Sequence, residues 1–165
     1  MKFSYLLIGC LCVVCLAVMP AQAFTAKTLT VTLDGNGNAQ ADMQYDLSFT
    51  EQAAIFFHAA NIGTTLQTAL SQNLNRQVTV VKADTSSAEV IIPSFATVSQ
   101  SAGTTTMTTP GFSFASAQQA MKNKWYAAFI TADFAPQTTT ITFPDGYQAA
   151  YSNLISIPSV SHQTA

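Results

Sequence analysis

Only two residues in this 165-residue chain, His58 and His162, carry an imidazole, so histidine acid–base chemistry would have to run through one of them. His58 follows Phe56 and Phe57 in a stretch with helical character, and His162 sits in a polar C-terminal stretch. A hydrolytic triad needs a nucleophile, a base and a group that orients the base. Serine is plentiful, but no G-x-S-x-G elbow occurs. His58 therefore reads as a helix-surface or half-buried histidine. A glycosidase would need two carboxyl groups facing each other across a substrate. Asp42, Asp46, Glu51, Glu89, Asp133 and Asp145 are scattered along the chain, and only Asp42 and Asp46 share a strand face. Asp34-x-Asn36-x-Asn38 has the oxygen spacing that opens a calcium loop. Ala39 stands where that loop needs Gly, and Tyr45 where it needs Glu, so the segment reads as a turn. There is no P-loop, dinucleotide fingerprint or H-E-x-x-H. The residues predict no catalytic group, no metal ligand and no cofactor. A non-enzymatic protein is expected, with a hydrolase the least favoured alternative.

Aromatic and threonine residues offer contact rather than reaction. Trp125, Tyr126 and Phe129 lie close in sequence and are the candidates for stacking on a glycan or meeting a partner. Aromatics of this size more commonly fill a core. Thr104–Thr106, Thr108–Thr109 and Thr138–Thr140 are threonine-rich. Their apolar neighbours indicate strands with a threonine face, although such residues could also accept O-linked sugars. No N-x-S/T sequon is present.

The N-terminus predicts export. Lys2 gives a short positive region, an apolar run extends from Phe3 to Met19, and Pro20 precedes Ala21-Gln22-Ala23. Small residues at −3 and −1 suit signal peptidase, so residues 1–23 are expected to be a leader cleaved after Ala23. An uncleaved anchor is the alternative, since the run approaches the length that spans a bilayer. Cys10, Cys12 and Cys15 all fall inside this leader. The mature chain, residues 24–165, would hold no disulfide, thiolate site or cysteine nucleophile. It would also keep no membrane span.

Charge is sparse throughout. Lys2 is one of six Lys and Arg, so the mature chain keeps five, against eight Asp and Glu. Five scattered cations form no basic patch, so nucleic acid is not an expected partner. Low net charge repels neighbouring copies only weakly, which favours association.

The elements are read from period and punctuation. Thr28–Leu33 alternates, Asp34–Asn38 turns, and Ala41–Phe49 alternates again, which predicts a hairpin. Ser48-x-x-Glu51 and Thr64-x-x-Gln67 have capping-box spacing and predict helices over 50–60 and from 64, with Leu66, Leu70 and Leu74 on one face. Strands are expected at 78–83, at 88–98 with Pro93 inside, and at 104–109. A third helix should open at Ser113 or Ser116 and run past Trp125. Strands at 138–143 and 147–157 flank the Pro144-Asp145-Gly146 turn, and 159–165 forms a polar tail. The expected class is α+β: a mostly antiparallel sheet of hairpins with two or three helices packed on one face, in a single domain over 24–165.

Three segments carry a family resemblance. They are Leu29-Thr30-Val31-Thr32-Leu33-Asp34-Gly35-Asn36-Gly37, Thr108-Thr109-Pro110-Gly111-Phe112-Ser113-Phe114, and Thr142-Phe143-Pro144-Asp145-Gly146-Tyr147 with Ile157-Pro158-Ser159-Val160. With these the chain resembles small exported proteins of unknown function from methanogenic archaea. That resemblance implies a cell-surface or extracellular setting and brings no catalytic residues. The expected function is that of an exported structural protein acting by self-association or by binding a protein partner; a secreted glycan- or ligand-binding module is the alternative. Leu29, Val31 and Leu33 near one end of the mature chain, and Ile155 and Ile157 near the other, are the candidates for edge strands that pair with a neighbour.

Overall fold

The computed structural model describes residues 22–47, 76–122 and 131–164, together with residues 64, 67, 68, 70 and 71. The alternating segments form the strands expected of them. β1 (Gln22–Leu33) and β2 (Ala39–Leu47) make the first hairpin. β3 (Thr79–Ala83) and β4 (Ser87–Ile92) make the second, and β5 (Thr97–Ser101) and β6 (Thr104–Thr108) the third. β7 (Phe112–Ser113) is short, and the helix α1 (Ala115–Lys122) follows it. β8 (Thr131–Asp133), β9 (Thr138–Thr142), β10 (Gln148–Tyr151), β11 (Ser156–Ile157) and β12 (Ser161–Thr164) complete the chain.

The main sheet has seven strands in the order β10-β9-β1-β2-β4-β3, with β8 also pairing β1. β1 runs parallel to both β8 and β9, which lie one after the other along the same edge of it. Between them Pro136 is buried, and the Gln137 N–H reaches the Ala26 carbonyl at 3.3 Å. β8 and β9 thus act as one interrupted strand along β1, and at the same level β1 shifts register against β2, between Ala26 and Thr28. The remaining pairings of the main sheet are antiparallel.

Period-two side-chain alternation gives this sheet two unlike faces. Leu29, Val31, Leu33, Ala39, Val90, Ile92, Ile141 and Phe143 point into the core. Strands cover them: Met107 of β6, Val98 of β5, Ile157 of β11 and Phe112 of β7 join the same cluster, as do Phe95, Ala96 and Val160. β12-β6-β5 form a three-stranded sheet and β11-β7 a two-stranded one.

The expected α+β class is therefore corrected. The fold is mostly β, with a mixed main sheet whose apolar side meets, among the described residues, further strands and the helical residue Leu70. α1 is eight residues long, and residues 64, 67, 68, 70 and 71 are helical. The rest of the helices expected over 50–60, 64–74 and beyond 122 lies outside the described residues. Three strand boundaries also move. The expected 147–157 strand stops at Tyr151, and Ser156–Ile157 is a separate strand paired with β7 in another sheet. Pro93 ends the expected 88–98 strand, because it lacks the N–H a ladder needs. Ser94 then takes φ +51°, and the chain continues as β5 in a different sheet. The expected polar tail is a strand, β12, paired with β6. The expected cleavage after Ala23 falls within β1. It would remove the Gln22↔Thr131 pair and leave the ladder from Phe24 onward.

Candidate binding face

Thr28-Leu29-Thr30-Val31-Thr32-Leu33 and Thr138-Thr139-Thr140-Ile141-Thr142-Phe143 share one pattern, with threonine at every other position. Threonine is β-branched and stiff at χ1, and suits a pleated, half-solvated surface. Parallel pairing sets the two copies side by side in register: Thr28 with Thr138, Thr30 with Thr140, and Thr32 with Thr142. Neighbouring strands lie about 4.8 Å apart and successive outward residues about 6.6 Å apart along a strand. The result is a two-by-three array of threonines on the side of the sheet away from the core. Thr28, Thr30, Thr32 and Thr138 are exposed, and Thr140 and Thr142 half-buried.

The rows extend across the whole sheet. One runs Lys82, Glu89, Asp42, Thr30, Thr140, Ala150, and the next Thr79, Ile91, Gln40, Thr32, Thr142, Gln148. Asp42 and Glu89 stand directly opposite each other, an unfavourable arrangement for like charges. The Gln40 amide eases it, donating to Glu89 Oε1 at 3.0 Å and to Asp42 Oδ2 at 3.4 Å. Ile91, 42% exposed, is a large apolar side chain on this face. The outer side of the three-stranded sheet is built similarly, with Thr97, Thr108 and Ser161 in one row and Ser99, Thr106 and Gln163 in the next. Hydroxyls and amides thus cover surface that most proteins cover with charge.

A second cluster sits where the C-terminal strand meets the β9–β10 turn. His162 Nε2 lies 2.7 Å from Asp145 Oδ2. The imidazole stacks on Tyr147 with ring centroids 4.1 Å apart and planes within 6°, and meets Phe143 edge-on at 5.1 Å. The other Asp145 oxygen accepts the Tyr147 N–H at 3.1 Å. The His162 hydrogen bond, followed by that backbone N–H, holds the Asp145 carboxyl below the usual carboxylate range. Sequence reading placed His162 in a loose tail and Asp145 in a turn, and did not join them. Their 17-residue separation crosses two short strands, and only the β12–β6 pairing brings the ring back over the turn.

The other polar candidates are absorbed by local structure. Asp34 accepts the N–H groups of Asn36 and Asn38 at 2.8 and 2.9 Å and the Asn38 amide at 2.8 Å, so its carboxylate is committed to the turn. These bonds, led by the Asn38 side chain, lower its pKa. Asp84 does the same work in the β3–β4 turn. It accepts from Ser86 and Ser87 and pairs with Lys82 at 2.8 Å, and Lys82 is the first cause of its lowered pKa. Tyr45 donates its hydroxyl to the Asp84 carbonyl at 2.6 Å; burial, then the Asp84 charge, push the phenol up. Asp46 pairs with Lys27 at 2.9 Å, and Asp133 accepts the Ala135 N–H at 3.0 Å. Among the described residues no three His, Cys, Asp or Glu are grouped to hold a metal ion.

The edge-strand expectation needs correction for β1. Leu29, Val31 and Leu33 belong to a strand whose two sides are both occupied, by β2 on one and by β8 and β9 on the other. Their side chains are core. β11 pairs only β7 among the described residues and so keeps one side open, with Ile157 itself 2% exposed and Ile155 half-buried. Among the described residues, β3, β8 and β10 each have one partner in the main sheet. β3 carries a register shift between Val80 and Lys82, and β10 is four residues long; both features discourage pairing with another chain. Trp125, Tyr126, Phe129, His58 and Glu51 lie outside the described residues. No known protein family, curated protein or solved structure matches the chain.

Proposed function

We propose that this chain is an exported, non-enzymatic protein that works at the cell surface or outside the cell by association, with copies of itself or with a protein partner. The observation that supports this best is the threonine array of β1 and β9, set in a wide, weakly charged face. Each threonine offers a hydroxyl and a methyl group. A face of this kind can be covered at low desolvation cost, because it carries few charges to strip of water. Its uncharged columns also give a neighbouring copy little to repel. The leader-like residues 1–23 and the scarcity of charge in residues 24–165 are consistent with the same reading.

The test is size-exclusion chromatography with multi-angle scattering on residues 24–165 over a wide concentration range, with negative-stain microscopy. Concentration-dependent assembly that Thr30→Lys with Thr140→Glu abolishes, without loss of thermal stability, is the expected result. A strict monomer with no filament or lattice rules out self-association. Pull-downs from cell-envelope fractions that are indifferent to the same substitutions then rule out the partner form.

A further inference from the structure

We propose that His162 and Asp145 form a pH-dependent latch fastening the C-terminal strand β12 to the β9–β10 turn. β12 is four residues long and lies at the edge of the three-stranded sheet, so its ladder to β6 is its one run of backbone pairing. A strand so short at an edge opens locally far more readily than the core does. Side chains supply the remaining attachment. Ser161 Oγ meets Thr108 Oγ1 at 3.0 Å, and His162 reaches across to the turn.

The ring is well placed to act as the variable part. In the β12–β6–β5 sheet His162 shares a row with Met107 and Val98, which puts it on the core-facing side. Its side chain is 19% exposed and that of Asp145 39%. From the turn, the titratable groups facing the ring are Asp145 and Tyr147. The described residues of β5, β6 and β11 carry no ionisable side chain. A cationic ring would therefore meet one carboxylate and one aromatic face. Imidazole is the side chain whose charge changes between pH 5 and 8. Loss of the ring proton as pH rises removes the ion pair while the stacking on Tyr147 remains. Protonation of Asp145 at low pH removes it from the other side. The latch is tightest in between, in mildly acidic solution.

Hydrogen exchange on residues 24–165, read as protection factors of β12 amides relative to those of β1, tests this between pH 3 and 8. Wild-type β12 is expected to be two- to fivefold better protected near pH 5.5 than at pH 8, the scale of a partly exposed ion pair, and to lose that gain again below pH 4. Asp145→Asn, which keeps an acceptor for the ring, and His162→Phe, which keeps the stack, should both give flat profiles with β1 unchanged. A wild-type profile that is flat, or one that Asp145→Asn leaves intact, overturns the latch. The β1 amides report global stability in every sample, so a variant that merely destabilises the fold is distinguished from one that frees the strand.

Discussion

Thr139 occupies a core position on β9, 1% exposed, and its hydroxyl has no hydrogen-bond partner. It lies in register between Leu29 of β1 and Tyr151 of β10, in a line where an apolar residue would ordinarily stand. A buried hydroxyl without a partner costs about 1–3 kcal/mol of desolvation relative to the unfolded chain. Thr139→Val replaces it with a methyl group of similar shape and removes that cost. It also adds apolar burial, worth about 0.8 kcal/mol for a group of this size. Taken at the lower end of the desolvation range, these together predict stabilisation of about 2 kcal/mol. For a domain of this length that corresponds to a rise in Tm of about 6–10 °C. Urea denaturation of residues 24–165 should show the midpoint rising with the slope unchanged, the signature of a pure stability gain. Thr140→Val on the opposite face is the control and should fall within about 0.5 kcal/mol of wild type. If Thr139→Val is less stable than wild type, the hydroxyl is satisfied in the folded protein and the reasoning is wrong.

Four further outcomes are expected. Gly37→Ala should destabilise by about 2–4 kcal/mol in the same denaturation assay. Gly37 takes φ +80°, and a Cβ there would lie 2.4 Å from the Ala96 carbonyl oxygen, which is backbone and cannot turn aside. Ile141→Ala, at a fully buried position beside Val31, should cost about 2–5 kcal/mol, measured by urea midpoint. Asp84 has its carboxyl held below the ordinary range, so its contribution is fully present above the unfolded carboxylate pKa and is lost as pH falls through the folded value. Asp84→Asn should therefore unfold with a shallower acid limb than wild type in a circular-dichroism titration, and an unchanged limb would refute this role. Ile91→Thr on the open face should leave the urea midpoint within about 0.5 kcal/mol, because Ile91 is 42% exposed and packs little there.

Local signals in the sequence identified the strands and turns. Alternation marked β1, β2 and β9. Asp34–Asn38 and Pro144-Asp145-Gly146 marked two turns, where Gly37 and Gly146 indeed take positive φ. The lack of cysteine after Cys15 and the scarcity of charge are likewise facts of composition. These properties are readable because each depends on neighbours a few residues away.

Pairing between distant segments was decided only by the tertiary structure. That β9 lies parallel to β1, more than a hundred residues earlier, follows from which apolar stripes bury each other, and alternation alone is indifferent to strand direction. That pairing moved Leu29, Val31 and Leu33 from a supposed edge into the core. It also turned two separate threonine patterns into one array. The cover of the apolar face was only partly legible: the strands carrying Met107 and Ile157 were expected, but their packing over the main sheet and the burial of Val160 just before β12 were not. The Asp145–His162 contact is the same lesson at the scale of one side chain. A residue in a polar tail becomes half-buried and paired because the strand carrying it has an edge to join.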